Sequence, residues 1–143
     1  MNEQKGRIVV GVDGSDASVD ALHWAIRQAQ LTGSELEAVS TWEVPSQYAE
    51  LVAEEIDWDA RARTILEEAL AKATDEAGVS VIRTTAEGHA ARVLTDASRN
   101  ADLVVVGSRG HGGFVGMLLG SVSMHVSAHA HCPVVVIRHH NPQ

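Results

Sequence analysis

Several residue types are scarce in this chain of 143 residues, and each scarcity excludes a class of protein. The single cysteine, Cys132, cannot form an internal disulfide, which is typical of a reducing compartment. The apolar runs 103–106 and 134–137 are far shorter than the roughly 20 residues that span a bilayer. The first ten residues contain no apolar core of a signal peptide. We therefore expect a cytoplasmic protein without a membrane segment.

Basic residues are also few, because 11 Lys and Arg stand against 19 Asp and Glu and give a formal net charge of -8. Proteins that bind nucleic acids usually present a basic surface, so this balance argues against that partner. A bound phosphate would have to be held by local dipoles, since the overall charge repels it. Aromatic residues make up only 3% of the chain, so the core must consist of aliphatic side chains.

What the chain does contain is an alternation of β-branched runs and amphipathic helical segments. Strands are predicted at 7–13, 35–41, 79–86, 102–107 and 132–138. Helices are predicted from a cap at Ser15 to a stop at Gly33, over 57–77 with a stop at Gly78, over 88–99 and over 120–130. This order predicts one α/β domain over residues 1–143, in which helices cover both faces of a mainly parallel sheet.

Glycine and polar residues follow two of these strands, the first at "GVDGS" (11–15) and the fourth at "GSRG" (107–110). Ligands of open α/β sheets bind beyond the carboxyl ends of the strands, where the strand order reverses. An order 3-2-1-4-5 would place both loops on one crevice. The common alternative, 2-1-3-4-5, would place the third strand beside the first, and that strand ends in the less suitable "TTAEG". Glycine placement favours 3-2-1-4-5.

Half of the 12 glycines lie between positions 107 and 120, next to the most apolar strand. Glycine allows backbone N–H groups to approach a phosphate and to form an anion-binding nest. A helix that begins near Gly120 would direct free N–H groups at the same anion, and Ser121 and Ser123 would add hydroxyl donors. The loop lacks the lysine of a Walker A motif, and "GVDGS" does not fit the dinucleotide pattern GxGxxG.

The spacing Gly107-x2-Gly110-x9-Gly120-Ser121 resembles the nucleotide-binding motif G-2x-G-9x-G-(S/T) of the universal stress protein family. The opening "IVVGVDGSDAS" and the final "CPVVVIR" resemble that family too, so the similarity covers essentially the whole chain. It implies a Rossmann-like domain with five parallel strands in the order 3-2-1-4-5, usually a homodimer. Members with this motif bind ATP, and some bind other adenine nucleotides.

The resemblance also implies roles for particular residues. Gly11, Val12 and Asp13 would contact adenine and ribose, Thr41 would line the adenine pocket, and Val106 and Gly107 would lie under the ribose. Gly110, Gly120, Ser121, Val122 and Ser123 would bind the phosphates. A divalent metal such as Mg²⁺ or Mn²⁺ would be carried by the phosphates, with no metal site built from protein side chains.

Structural roles compete with these assignments. Ser121 would be a good helix N-cap without any ligand, Asp13 would stabilise a turn with Gly14, and the glycine-rich loop would serve as a connector. His125 and His129 have the i, i+4 spacing of a zinc pair, but no acidic ligand is near, so we expect surface or interface histidines. Cys132 is expected to pack and not to act as a nucleophile.

Strand 134–137 would lie at the edge of the sheet in this order, and an apolar edge strand needs cover. Pairing with the same strand of a second copy would be a two-fold solution, so we expect a homodimer through Val134–Ile137.

The leading functional hypothesis is an ATP-binding module in stress response or signalling. The first alternative is an enzyme, either a slow ATP hydrolase or an adenylating enzyme of related fold. No general base or arginine finger is identifiable in the sequence, so any hydrolysis is expected to be slow. The second alternative is an interaction protein that needs no nucleotide, against which the intact glycine spacing argues.

Overall fold

The computed structural model describes residues 5–44, 56–73, 78–109 and 119–139. The strands are β1 (Arg7–Gly11), β2 (Glu35–Trp42), β3 (Val81–Glu87), β4 (Leu103–Gly107) and β5 (Val134–Ile137). The helices are α1 (Asp16–Thr32), α2 (Trp58–Lys72), α3 (Ala90–Ala97) and α4 (Ser121–His129), and a 3-10 turn (Ser98–Asn100) follows α3. Within the described ranges, no helix is both long and apolar enough to cross a membrane.

The five strands form one parallel sheet in the order β3-β2-β1-β4-β5. This confirms the order 3-2-1-4-5, and the alternative 2-1-3-4-5 is wrong. β1 and β4 lie at the centre, where Ile8 pairs with Leu103 and Val10 with Val105. Both strands are buried on their two faces by helices, which explains why they are continuous apolar runs and do not alternate.

Two hydrophobic cores fill the space between the sheet and its helices. On one face, Leu22 of α1 and Leu66 of α2 pack with Val10, Leu36 and Val105. On the other face, Leu94 of α3 and Val126 of α4 pack with Val9, Val39 and Val104. All ten side chains are at most 3% exposed. The aliphatic core that the composition predicts is confirmed.

Helix ends match the predicted signals at α1 and differ at α2 and α3. Ser15 caps α1 by accepting a hydrogen bond from the amide of Ser18, and Gly33 ends that helix in the left-handed conformation, with φ 70°. The prediction that Gly78 closes α2 is wrong, because this helix ends at Lys72 with Ala73 as its cap. Gly78 has φ 78° in the turn before β3.

The remaining boundaries shift by a few residues. β1 ends at Gly11 instead of residue 13, because the chain turns at the polar segment that caps α1. The predicted helix over 88–99 divides into α3 and the 3-10 turn, and the ring of His89 caps α3 by accepting from the amide of Ala91 at 3.3 Å.

Asp59 connects the start of α2 to the carboxyl ends of β2 and β3 through hydrogen bonds. Its carboxylate accepts hydrogen bonds from the Thr85 hydroxyl at 2.6 Å, the Arg63 guanidinium at 2.9 Å and the Trp42 indole at 3.1 Å. The pKa of Asp59 lies below its ordinary value, chiefly because Thr85 and then Arg63 donate to the ionised carboxylate. The ionised form of Asp59 therefore stabilises the attachment of α2.

We predict that Asp59→Asn lowers the melting temperature at pH 7. A carboxyl group with a lowered pKa stabilises the folded state above the pKa of the unfolded chain, and this contribution disappears as pH falls through the folded-state pKa. The difference between wild type and variant should therefore shrink on acidification, which thermal unfolding from pH 7 to pH 2 would measure. Asp96→Asn is the control, because Asp96 is exposed on α3. A pH-independent difference for Asp59→Asn would contradict the assignment.

Candidate functional site

The crevice predicted from the glycine placement lies between β1 and β4. From β1 the chain goes on to β2 and β3 on one side, and from β4 it goes on to β5 on the other, so the strand order reverses between them. Val10 and Val105 are paired, and residues 11–12 and 106–107 follow this pair at the same edge of the sheet. The structure thus brings both polar loops to the switch point, where α/β sheets bind ligands.

The loop after β1 is held by its own polar groups. The amide of Val12 donates to the carbonyl of Val39 at 2.8 Å, and the Val12 side chain is buried. Asp13 is exposed, and its Oδ1 accepts from the amide and the hydroxyl of Ser15 at 2.8 Å and 2.5 Å. The turn-stabilising role considered for Asp13 is therefore confirmed. Its Oδ2 has no hydrogen-bond partner among the described residues.

Gly107, at the end of β4, lies against the first turn of α1. A Cβ atom at this position would be 2.8 Å from the carbonyl carbon of Ala17 and 2.9 Å from its oxygen. Because these are backbone atoms, they cannot rotate away, so only glycine allows α1 to approach β4 this closely. Val106, the preceding residue, is buried in the core on the α3 and α4 face.

The start of α4 is hydrogen-bonded to Ser108, the residue that follows β4. Ser108 donates its amide to Ile137 of β5 at 2.7 Å, and its carbonyl accepts from the amide of Gly120 at 2.5 Å. The buried hydroxyl of Ser123 is 3.1 Å from the Ser108 carbonyl oxygen and 3.0 Å from that of Gly120. Ser108 was not recognised in the sequence, because its backbone makes these contacts and no side-chain pattern signals them.

The first turn of α4 offers donors to the crevice. Gly120 is the N-cap, with φ -76°, and no side chain among the described residues caps the helix. Ser121 is the first helical residue and is exposed, so the alternative that it serves as the N-cap is wrong. The first amides of a helix have no partner within it, which leaves those of Ser121, Val122 and Ser123 for a ligand or water. The Ser123 hydroxyl is already used inside the protein.

Two residues of the predicted site, Thr41 and Gly110, remain to be placed. Thr41 lies near the end of β2, paired with Ala86 of β3 and half-buried. Its neighbour Trp42 points its indole nitrogen at Asp59 of α2. Gly110 lies outside the described residues, so its place in the phosphate motif stays a prediction.

Other chemically notable groups lie away from the crevice. Burial, and then the nearby charge of Asp102, raises the pKa of the Cys132 thiol, which disfavours the nucleophilic thiolate. A polar cleft of about 690 Å³ lies at the opposite, amino end of the sheet. Its lining includes Arg7, which is 2.6 Å from Glu35 in an ion pair. Neither feature borders the strand ends at the switch point.

The parallel order 3-2-1-4-5, with helices on both faces, defines a Rossmann-like α/β domain. The model of the universal stress protein family matches residues 5–138. The chain is 38% identical over 145 aligned residues to the universal stress protein Rv2623 of Mycobacterium tuberculosis, with 94% of this chain and 46% of that protein covered. The chain therefore belongs to the universal stress protein family, and it spans about half the length of the curated relatives it matches.

Solved structures agree with this assignment. The universal stress protein UspA from Lactobacillus plantarum superposes with a TM-score of 0.80 at 25% identity, covering 96% of this chain and all of that one. A universal stress protein crystallised in complex with cAMP superposes with a TM-score of 0.73 at 25% identity and the same coverage, 96% and 100%. The five-stranded fold of the family is confirmed.

We predict that Gly107→Ala destabilises the domain more than Gly11→Ala does. The new methyl group at position 107 would meet the backbone of Ala17, whereas at position 11 it would be 2.9 Å from Cδ1 of Leu94, a side-chain end that can turn aside. Such overpacking costs about 1–3 kcal/mol where the neighbour is rigid. Urea denaturation of both variants would measure the difference, and Gly11→Ala/Leu94→Val tests the relief by a smaller side chain. Equal losses at positions 107 and 11 would contradict the asymmetry.

Proposed function

We propose that this domain binds ATP in the crevice between β1 and β4 and acts as a stress-response and signalling module. The observation that carries the proposal is the placement of the uncapped α4 N-terminus beside the end of β4, through the hydrogen bond between the Gly120 amide and the Ser108 carbonyl. Helix N-termini bind phosphate because their amides are free and their dipole end is positive. In a chain of net charge -8, such local donors are the way to attract an anion.

The two sides of the crevice suit the two ends of a nucleotide. On the β1 side, the free Oδ2 of Asp13 is an acceptor for a ribose hydroxyl, and Thr41 lies at the neighbouring strand end for the base. On the β4 side, Val106 and Gly107 end the strand beneath the expected position of the ribose, and the amides of Ser121 and Val122 are donors for phosphate. The complex of a universal stress protein with cAMP supports adenine nucleotides as the ligand class. Mg²⁺ or Mn²⁺ would bind through the phosphates.

We expect Gly110→Val to reduce ATP affinity by at least about tenfold, the effect of losing one good interaction in a binding site. The physical reason is that a branched side chain in the glycine motif would keep the backbone amides away from the phosphates. Isothermal titration calorimetry with ATP and with cAMP would measure the change. Gly113→Val is the matched control, since Gly113 lies in the nine-residue spacer between Gly110 and Gly120, where the motif specifies no residue.

The same purified protein distinguishes the competing functions. ATP released on denaturation of freshly purified protein, together with no ADP production over hours, would support a binding module. Steady ADP release would favour the hydrolase. The absence of nucleotide, combined with no thermal shift in millimolar ATP, would overturn the proposal in favour of a nucleotide-independent interaction protein.

We also propose a homodimer through the open edge of β5. The carbonyl of Pro133 accepts from Val104 of β4 at 3.0 Å, and that of Ile137 accepts from Ser108, the residue after β4, at 2.7 Å. The alternate residues of β5, Val134 and Val136, therefore direct their backbone groups to the open edge. The strand is apolar and only half-buried, which makes it suited to pairing with a second copy.

Val136→Pro should convert this dimer to a folded monomer, because proline removes an outward N–H group and leaves the pairing with β4 intact. Light scattering at micromolar concentration would measure the mass, and circular dichroism would check the fold. A wild-type protein that is monomeric under these conditions would contradict the dimer. So would an unchanged dimer of the folded variant.

A further inference from the structure

His125 and His129 lie one turn apart on α4, away from the crevice residues of its first turn. Their ring centroids are 4.5 Å apart, with the ring planes inclined by 44°. Both side chains are exposed, and among the described residues neither has a hydrogen-bond or ion-pair partner. The helix therefore presents two adjacent imidazoles whose nitrogens are free to bind a ligand from solution.

The separation of the rings is that of two ligands of one metal ion. A metal–nitrogen distance of about 2.1 Å places the centroid of an imidazole about 3.2 Å from the metal. Two such rings at an angle of about 90° around the metal would have centroids about 4.5 Å apart, which is the separation observed. Because both rings are exposed, they can turn about the Cβ–Cγ bond to point their nitrogens at one ion.

The surroundings also favour a cation. His129 belongs to the last turn of α4, where the carbonyl end of the helix dipole is negative. The chain as a whole carries a formal charge of -8 when its histidines are neutral, the form that binds metals. Imidazole nitrogens prefer Cu²⁺, Ni²⁺ and Zn²⁺ over the hard cations Mg²⁺ and Ca²⁺.

We propose that His125 and His129 chelate one divalent transition-metal ion of the Cu²⁺, Ni²⁺ and Zn²⁺ class, with water at the remaining coordination positions. Within the described residues no group of three or more metal-ligating side chains exists, so this is a two-ligand surface site and not a closed structural one. The sequence favoured plain surface histidines for lack of a third ligand. The ring separation, and the absence of competing partners in the part of the chain that the structure describes, change that interpretation.

The site can be tested by titrating the full chain with Cu²⁺, following nitrogen coordination by electron paramagnetic resonance and affinity by calorimetry. The background is His139→Gln/His140→Gln, which removes two adjacent histidines of the C-terminal segment. We expect one site in this background, weakened at least about tenfold by His125→Gln or by His129→Gln, since losing a ligand should cost no less than losing an outer-sphere partner. His23→Gln, a change at an exposed histidine of α1, should leave the affinity unchanged.

A spacing variant keeps the number of histidines constant. Ser127→His/His129→Gln places the two rings at i, i+2, where they do not share a helix face. We expect this variant to lose the tight site while circular dichroism remains that of the parent protein. Full retention of affinity would show adventitious binding to histidine in general and would overturn the proposal. So would equal weakening by His23→Gln. Zn²⁺-induced shifts confined to the ring signals of His125 and His129 would support it independently.

Discussion

The parallel pairing of β1 with β4 is the interaction on which the rest of this domain depends. It joins two buried strands whose connections run to opposite sides of the sheet, so the helices that follow them leave the sheet edge in different directions. The strand ends at this position are consequently not covered by a crossover. The positions of all described residues in the proposed nucleotide site depend on this pairing of β1 with β4.

Contacts with the first turns of α1 and α4 then form the walls of the crevice. The first turn of α1 lies directly against Gly107, and the first turn of α4 is held to Ser108 by the amide of Gly120 and the hydroxyl of Ser123. Both helices therefore begin near the end of β4. In an acidic protein, this arrangement concentrates the positive partial charge of two helix N-termini at one place.

Much of this architecture could be predicted from the sequence, because the period of the apolar residues and the positions of the capping residues are local signals. Ser15 and Gly33 mark both ends of α1, and glycine placement favoured the strand order that the structure has. Gly78 was misleading, because a left-handed glycine marks a turn but does not reveal whether the helix ended several residues earlier. Helix ends of that kind are set by tertiary packing.

The individual roles of the site residues were harder to predict from the sequence. The sequence treats Ser121 and Ser123 as equivalent donors, yet one is exposed and the other is buried with its hydroxyl used by two carbonyls. Gly107 was explained by a ligand, whereas the contact with Ala17 gives it a structural reason as well. Contacts between residues far apart in the chain decide these roles, and no local pattern encodes them.

The turn after β1 has a consequence for sugar recognition. Ser15 occupies one oxygen of Asp13 with both its amide and its hydroxyl, which leaves a single carboxylate oxygen without a partner among the described residues. Because one of its oxygens is already occupied, this carboxylate cannot accept from two vicinal hydroxyls with separate oxygens. In the proposed complex, a nucleotide lacking one ribose hydroxyl, or with one of them esterified in a ring, would still satisfy this acceptor. Discrimination among such sugars would then have to come from the phosphate end.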